Sequence, residues 1–385
     1  MAAPGQDLVE HAQALAPLLR KHAEEAEQLR QPHDAVISAL EASGIFELMV
    51  PRCYGGRELD VDTFLEVGLA LAEGDASMSW VATFYIEHNW MFCQFPEAFQ
   101  RELFSDRTYV LAPGSISMGG RAEPDEGGFR LNGRWGWATG VMHGNWVLVG
   151  AQVNREDKAV DLRFFALPKS DIEVLDTWHV DGMCGTGSHD MVVHDQLVPE
   201  ERSVSFLEML GGTGPGSKIH PHPSYHTPML PILGLAASMP AVGQARAAVR
   251  GFRERMQDRI LYGTASKQSE KPAAQMRLAR AEIEAGEAEG LLRSVATQMM
   301  VRRNRATPEE RSRWMASLAY AVDRSKRVIG NIADASGASA HFLTHALQRA
   351  KRDVDTLSCH AIFDLDARLE TYGRTMLGLD PQGPF

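Results

Sequence analysis

The sequence predicts three regions in the order helices, β-sheet, helices, with an antiparallel sheet in the middle and a helical bundle at the end. Three observations lead to this prediction. Apolar residues recur every three or four positions up to about Asp106, strand-like runs occupy Tyr109 to Phe206, and helical spacing returns after a Gly/Pro/His-rich connector. Strands confined to the middle argue against a doubly wound nucleotide-binding fold, in which strands and helices alternate along the whole chain.

The first region, residues 1–108, carries the signals of amphipathic helices. A second helix is predicted over residues 35–42, and Gly44 stops it. The first helix presents one apolar face, formed by Leu8, Ala12, Leu15 and Leu19. This region is therefore expected to be mostly α-helical.

The middle region, residues 109–210, changes to short apolar runs rich in β-branched and aromatic residues. Examples are WVLVGAQV, LRFFALP and MVVHDQLVP, and the turn signals DEGG and LNG separate such runs. These patterns predict a β domain in which neighbouring strands pair antiparallel.

The last region, residues 211–385, starts with the connector from Gly211 to Pro228 and continues as a helical bundle. Two long helices are predicted over residues 273–304 and 308–335, with Gly337 as the C-cap of the second. An earlier helix shows apolar residues at spacings of three and four, namely Val242, Ala245, Val249, Phe252, Met256 and Ile260.

Composition and charge exclude several classes of protein. The 39 basic and 50 acidic residues give a net charge of −11, which repels nucleic acid and anionic membranes. The four cysteines are scattered without a CxxC pair, so neither a disulfide framework nor a zinc cluster is expected. The start of the chain lacks a basic segment followed by an apolar one, and no run approaches the roughly 20 apolar residues that span a bilayer. We expect a cytoplasmic protein without nucleic-acid or membrane partners.

Two glycine-rich segments resemble nucleotide-binding loops but lack the residues that define them. In the run GTGSHD, Asp190 stands where a third glycine is needed, and a strand-like run follows instead of a helix. In GGTGPGSK, Ser217 replaces the required lysine, and Pro221 prevents an immediate helix. We interpret the second segment as a mobile connector.

Histidines and cysteines offer two further arrangements. The connector histidines His220, His222 and His226 have a spacing that a metal could use, but no cysteine or carboxylate accompanies them, and we predict no metal site. Cys359 precedes His360, yet adjacent residues on a helix point about 100° apart and do not form a nucleophile and base by proximity alone.

Several segments, taken together, resemble the acyl-CoA dehydrogenase superfamily. They are LEASGIFELMVPRCYGG, LAEGDASMSWV, GGFRLNGRWGWATGVMHGNWVLVGA and WHVDGMCGTGSHD with VPEER behind it. The likeness covers nearly the whole chain and is strongest to the group D flavin-dependent monooxygenases, the oxygenase components of two-component aromatic hydroxylases. It implies an acyl-CoA dehydrogenase-like fold with a C-terminal four-helix bundle, assembled as a homotetramer.

The resemblance implies a flavin site. Thr139, within Trp137-Ala138-Thr139-Gly140, falls where the superfamily places a hydroxyl near flavin N5, and such a hydroxyl can accept the N5–H bond of reduced flavin. Ser115 and Ser117 match the strand beside the isoalloxazine, and Arg259 matches an arginine that reaches the flavin phosphate. Each residue has a structural alternative: Thr139 satisfying a neighbouring backbone group, turn-forming serines, and a surface arginine.

The resemblance also implies a substrate pocket. His88 matches a histidine that lines the pocket of the aromatic hydroxylases, with Phe84 and Trp80 one and two turns earlier on the same helix, although a buried structural histidine is the alternative. His360 stands where dehydrogenases carry a catalytic glutamate, and the nearest such carboxylate, Glu370, comes ten residues later. An imidazole there can take or hold a substrate proton, orient the substrate, or act only structurally.

The implied function is hydroxylation of a small phenol- or indole-like substrate by reduced flavin (FADH2 or FMNH2) and O2 through a C4a-hydroperoxide. Since the sequence contains no nicotinamide motif, a separate NAD(P)H-dependent flavin reductase is expected as partner. Two alternatives remain: an acyl-CoA dehydrogenase with a displaced base, and an N- or S-oxidising member of the same monooxygenase group.

Overall fold

The computed structural model describes residues 4–154, 161–383 and 385. Its first part is helical, as expected, and the apolar face of the first helix is buried at Leu8, Ala12 and Leu19. The helices of this part are α1 (Gln6–Leu29), α2 (Asp34–Ala42), α3 (Val61–Ala72), α4 (Ala76–Phe92) and α5 (Glu97–Leu103).

Helix α4 lies at the centre of the molecule. Asp75 caps its first turn by accepting a hydrogen bond from the Met78 N–H at 2.9 Å. Nearly every side chain of the helix is buried, whichever face it lies on. A helix that is apolar all round is typical of a core position, and α4 contacts both α3 and α8.

The middle region forms one seven-stranded sheet with strand order β5-β6-β2-β1-β3-β4-β7. Five of the six strand pairs among the described residues are antiparallel. The pair β1–β3 is parallel, so the expectation of a purely antiparallel sheet is wrong for this pair, because the pattern of apolar residues along a strand does not encode its direction. The strands are β1 (Gly114–Asp125), β2 (Gly128–Ala138), β3 (Trp146–Val153), β4 (Asp161–Pro168), β5 (Glu173–Leu175), β6 (His189–Pro199) and β7 (Ser203–Ser205).

Seven helices follow the last strand in the described part of the chain, and α10 packs on four of them: α8, α9, α11 and α12. Gly337, at φ 71°, ends α10 as predicted. Ile260 is exposed and lies beyond the end of α8, so its assignment to the apolar stripe was wrong. The helices are α6 (Phe206–Gly211), α7 (Pro215–Ile219), α8 (Met229–Asp258), α9 (Pro272–Arg302), α10 (Pro308–Ser336), α11 (Ala346–Leu357) and α12 (Leu365–Met376).

Helix α8 is long and apolar enough, by length and composition, to cross a membrane, contrary to our expectation that no segment approaches this limit. However, 83% of its most apolar window is buried inside the protein, where α3, α4, α9 and α10 pack around it. Such burial is typical of the core helix of a bundle.

The connector 211–228 is packed rather than mobile, which corrects our interpretation of this segment. It contains the short helix α7, and Ser224, Tyr225 and Thr227 are fully buried. His220 is also buried, with its Nε2 atom 2.7 Å from Gln100 Oε1. The predicted domain boundary after residue 210 falls within α6.

Two apolar cores hold the molecule together. The larger contains side chains from α1 to α5 and from the C-terminal helices, so the two helical regions share one core. The smaller is formed by the sheet itself, including Leu131, Trp135 and Val149. The helical regions and the sheet therefore meet along a junction, where α4 lies next to the end of β2 through a hydrogen bond from Tyr85 to Gly140.

Candidate active site

One face of α4 carries a row of aromatic side chains. Trp80, Phe84 and His88 are spaced by four residues and therefore lie on the same face. The Trp80 and Phe84 rings are stacked with centroids 4.4 Å apart, and the Phe84 and His88 rings meet edge to face at 5.7 Å. We call these three side chains the α4 wall.

His360 extends the wall from a different part of the chain. Its ring meets Trp80 edge to face at 5.8 Å. The Nδ1 atom accepts a hydrogen bond from the Ile362 N–H at 3.2 Å, which caps the short 3-10 turn that follows α11. Burial, with a smaller contribution from the Arg368 charge, lowers the pKa of His360 to about 4. The neutral imidazole therefore carries its proton on Nε2, and Nε2–H is a hydrogen-bond donor.

His88 has the opposite tautomer. Its Nδ1 atom lies 2.6 Å from the Ala112 carbonyl oxygen, which can only accept, so Nδ1 carries the proton. Burial lowers the pKa of His88 to about 4, which leaves Nε2 as an unprotonated acceptor at neutral pH. A Cβ atom at Gly114 would lie 2.9 Å from Nε2, so the glycine makes room for this ring.

Glu87 is a buried carboxyl group beside His88 that sequence reasoning missed. Its Oε1 atom lies 3.6 Å from His88 Nε2, and Oε2 has no hydrogen-bond partner. Burial raises the pKa of Glu87 well above its usual range, which favours the protonated, uncharged form of the group.

The end of β2 and the turn that follows it face the α4 wall. Trp137 has φ 61°, a strained value for a residue other than glycine, and its side chain is 69% exposed. Thr139 is only 3% exposed. Gly140 has φ 73°, and the Tyr85 hydroxyl of α4 donates to its carbonyl oxygen at 2.6 Å. Strained backbone at residues other than glycine clusters at functional sites, so Trp137 makes the end of β2 a candidate for ligand binding.

The Thr139 hydroxyl is held between α4 and the segment before β6. The Trp80 Nε1–H donates to Thr139 Oγ1 at 3.2 Å, and Ser188 Oγ lies 3.1 Å from the same atom. Thr139 is thus bonded directly to the wall. Ser188 belongs to the GTGSHD run, in which the sequence predicted no site residue, so its place beside Thr139 was missed.

The predicted serines lie at the start of β1. Ser115 is buried, Ser117 is exposed, and their Oγ atoms are 3.2 Å apart. The pairing of β1 with β3 changes register between Ser115 and Gly120. The strand start is close to the wall, because Gly114 packs against the His88 ring.

Arg259 lies apart from the α4 wall and Thr139. It follows the end of α8, and its Nη1 donates to the Ser336 carbonyl oxygen at 2.9 Å and to Gln268 Oε1 at 3.3 Å. The neighbouring Arg255 contacts His345, which begins α11, whereas His360 follows the end of that helix. Twelve helical residues span roughly 18 Å, so Arg259 is not gathered with the wall and Thr139.

Two buried carboxyl groups anchor the segment that leads to His360. Asp353 of α11 accepts a hydrogen bond from the Met183 N–H at 2.5 Å. Burial, and then the nearby Asp75, raise the pKa of Asp353, and burial also raises the pKa of Asp75. Two close, buried carboxyl groups favour sharing a proton. They join α11, the start of α4 and the loop before β6.

Other polar or hollow places in the described chain lie apart from the wall. Cavities of about 240 and 430 Å³ open between α8 and α9 and between α2 and the start of β3. His22, Glu25 and His33 have ligand atoms within 4.8 Å of one another. However, His33 Nδ1 accepts from the Ala35 N–H, so in the neutral ring Nε2 bears the proton and donates to Glu25. Glu370, the alternative base, is exposed on α12.

The residues around Thr139 fit a bound flavin. Thr139 offers an oxygen beside the exposed ring of Trp137, and the start of β1 offers two serine hydroxyls. The α4 wall supplies an aromatic surface next to that oxygen.

Comparison with known proteins gives consistent results. Residues 235–365 match the family model of the acyl-CoA dehydrogenase C-terminal domain. The chain is 36% identical to a pigment production hydroxylase of Rhodococcus sp. (strain ATCC 21145), covering 98% of both chains. It is 31% identical to the oxygenase subunit HsaA, a flavin-dependent monooxygenase of Rhodococcus jostii, covering 95% of this chain and 97% of the relative. XiaF from Streptomyces sp., solved with FADH2 and glycerol, matches with a TM-score of 0.91 and 28% identity over 99% of this chain and 97% of that chain.

Proposed function

Because the chain belongs to the oxygenase components of the flavin-dependent monooxygenases, within the acyl-CoA dehydrogenase superfamily, we propose that it hydroxylates a small phenol- or indole-like substrate. The observation that carries this proposal is the hydrogen bond between Trp80 and Thr139. It joins an aromatic wall suited to a flat ring to the hydroxyl expected at flavin N5. Reduced flavin, when bound, supplies the electrons, and O2 supplies the oxygen atom that is transferred to the substrate.

Thr139, Ser115, Ser117 and Trp137 are proposed to hold the flavin ring. The Thr139 oxygen would accept the N5–H bond, and the serines of β1 would bond the polar edge of the ring. Trp137, whose side chain is exposed and whose backbone is strained near the end of β2, would cover the ring. Arg259 remains a candidate for binding the flavin phosphate. It lies near the start of α11, whereas His360 follows the end of that helix, so the phosphate tail of the cofactor would extend toward the start of α11.

The two histidines are proposed to contact the substrate in opposite senses. His360 would donate from Nε2–H to a substrate oxygen, and His88 would accept from a substrate O–H or N–H through Nε2. Since the pKa of each is lowered to about 4, neither imidazole is basic enough to remove a phenol proton completely. Their role is therefore to orient the ring and polarise its hydroxyl group. Trp80 and Phe84 would stack on the substrate.

A separate flavin reductase must provide the reduced cofactor, and we propose that it uses NAD(P)H. We further propose a cytoplasmic homotetramer. All four cysteines are free, which fits a reducing compartment. Exposed apolar side chains on α9, including Met276, Ile283 and Val301, are candidates for contacts between copies. Light scattering of the purified protein tests the assembly.

The experiment that tests the function combines the purified protein with a generic flavin reductase, NADH, flavin and a panel of phenols and indoles under ¹⁸O2. We expect at least one product whose mass shows a single labelled oxygen atom, and no such product when the protein or the reductase is omitted. Failure of every compound in the panel to gain oxygen, with reduced flavin present, would overturn the proposal.

A further inference from the structure

Three buried hydroxyl groups form a continuous chain behind the candidate flavin site. Thr186 Oγ1 lies 2.8 Å from the Met183 carbonyl oxygen and 2.7 Å from Ser188 Oγ. Ser188 Oγ lies 3.1 Å from Thr139 Oγ1, which also receives the Trp80 indole N–H. The three hydroxyl-bearing residues are all almost completely buried.

The carbonyl at one end sets the direction of the whole chain. A carbonyl oxygen can only accept, so the Thr186 hydroxyl donates to Met183. Ser188 then donates to Thr186, and Thr139 donates to Ser188. Since Thr139 has given its proton to Ser188 and one lone pair to the Trp80 N–H, it has one lone pair left. Toward any further ligand, Thr139 is an acceptor only.

We propose that Thr186 and Ser188 are positioning residues that keep Thr139 an acceptor and thereby make the site prefer reduced over oxidised flavin. The inference rests on the proposed function, in which Thr139 faces flavin N5. N5 carries a proton in reduced flavin and donates to Thr139. In oxidised flavin, N5 can only accept a hydrogen bond. A lone pair of N5 would then face a lone pair of Thr139 Oγ1, unless all three hydroxyl groups reverse the direction in which they donate.

The free-energy cost of reversing the hydroxyl chain determines how strongly the site prefers reduced over oxidised flavin. If Thr139 donates to oxidised N5, Ser188 must donate to Thr139 and Thr186 to Ser188, and the bond from Thr186 to Met183 is lost. The Met183 carbonyl keeps two other donors, the Trp178 Nε1–H at 3.0 Å and the Thr186 N–H at 3.1 Å. Reversal is thus possible at the cost of one hydrogen bond, which corresponds to about a 2- to 12-fold preference.

The test is the ratio of dissociation constants for oxidised and reduced FMN and FAD, measured by anaerobic titration. Thr186→Val removes the anchor without changing size, and Ser188→Ala frees the Thr139 proton to donate. We expect each variant to lower the ratio of oxidised to reduced dissociation constants by about 2- to 12-fold. Thr186→Ser, which keeps the hydroxyl, is expected to retain the wild-type ratio. Ser325→Ala is the control, because it removes a buried hydroxyl of α10 that donates to the Ala321 carbonyl oxygen at 2.8 Å.

The outcomes separate this inference from the function on which it rests. If wild-type protein binds neither redox state, the flavin site and the proposed function fail together. If it prefers reduced flavin and both Thr186→Val and Ser188→Ala keep the wild-type ratio, the positioning role is overturned while the function stands. A lowered ratio in these two variants, with Ser325→Ala and Thr186→Ser unchanged, supports the proposal.

Discussion

The role of His360 can be divided into two parts by substitution. Its Nδ1 atom caps the 3-10 turn at Ile362, and its Nε2–H is the group proposed to donate to the substrate. His360→Asn keeps a side-chain acceptor in the cap, since asparagine is a good capping residue, but removes the Nε2–H donor. His360→Ala removes both. The two variants therefore distinguish contact with the substrate from support of the backbone.

The expected magnitudes follow from the number of hydrogen bonds lost. Both variants lose one donor to the substrate, which lowers kcat/KM by about 2- to 12-fold for a neutral substrate oxygen and by up to about 150-fold for an ionised one. His360→Ala also loses the cap, which costs about 1 kcal/mol of stability by analogy with helix caps. Binding of reduced flavin should remain close to wild type in both.

The assay is product formed per NADH oxidised, measured with a reductase between pH 6 and 9, together with urea denaturation of each variant. Since burial lowers the pKa of His360 to about 4, its ring stays neutral over this range. The pH profiles of wild type and His360→Asn should therefore be parallel.

Two results would refute this reasoning about His360. The first is an ionisation near pH 6 to 7 in the wild-type profile that disappears in His360→Asn, since the imidazole would then titrate in the working range. The second is a wild-type kcat/KM and a wild-type yield of product per NADH in His360→Asn, which would mean that His360 acts only by capping the 3-10 turn.

Three further predictions concern the neighbouring residues. Gly140→Ala should destabilise the protein by more than 1 kcal/mol in urea denaturation, because φ is 73° and the new Cβ would lie 2.4 Å from the Tyr85 hydroxyl oxygen. Trp80→Phe keeps the ring but removes the donor to Thr139, so we expect more hydrogen peroxide and less product per NADH. Lowering the pH from 6.5 to 4 should destabilise the protein by up to about 3 kcal/mol through His88. The reason is that His88 binds a proton in the unfolded chain but not in the folded protein. His88→Asn should therefore flatten this part of the pH dependence of the unfolding free energy.

Each of these three predictions has a result that contradicts it. Wild-type stability in Gly140→Ala would mean that the turn can move away from Tyr85. Unchanged coupling in Trp80→Phe would show that the indole N–H does not matter for holding Thr139. An identical pH dependence of the unfolding free energy in wild type and His88→Asn would remove His88 as its source.

The sequence predicted most of the helices because their signals are local. Helix α10 was expected over residues 308–335 and spans Pro308–Ser336, since a capping box with Thr307 and a C-cap at Gly337 are both encoded within a few residues. Strand direction is not encoded locally, which is why the parallel pairing of β1 and β3 was missed. The packing of the connector was missed for the same reason: partners such as Gln100 are far away in the sequence.

The candidate site divides in a similar way. Thr139 and the α4 wall were predicted, one by resemblance and the other by resemblance together with helical spacing, and their functional roles remain predictions. The direct bond between Trp80 and Thr139 joins residues 59 positions apart and has no sequence signal. Glu87 was missed because a buried carboxyl group is recognised only once the fold surrounds it.

The aromatic residues of α4 differ in how firmly they are tied to the turn that follows β2. On α4, Trp80 donates to Thr139 and Tyr85 donates to Gly140, so both are bound to that turn. Phe84 is part-buried, stacks on Trp80, meets the His88 ring edge to face and packs against the large apolar core, and its side chain carries no group that could hydrogen-bond to the turn. Directed evolution toward substrates of another size should therefore start at Phe84, where volume can be exchanged without loosening the cofactor's end of the pocket.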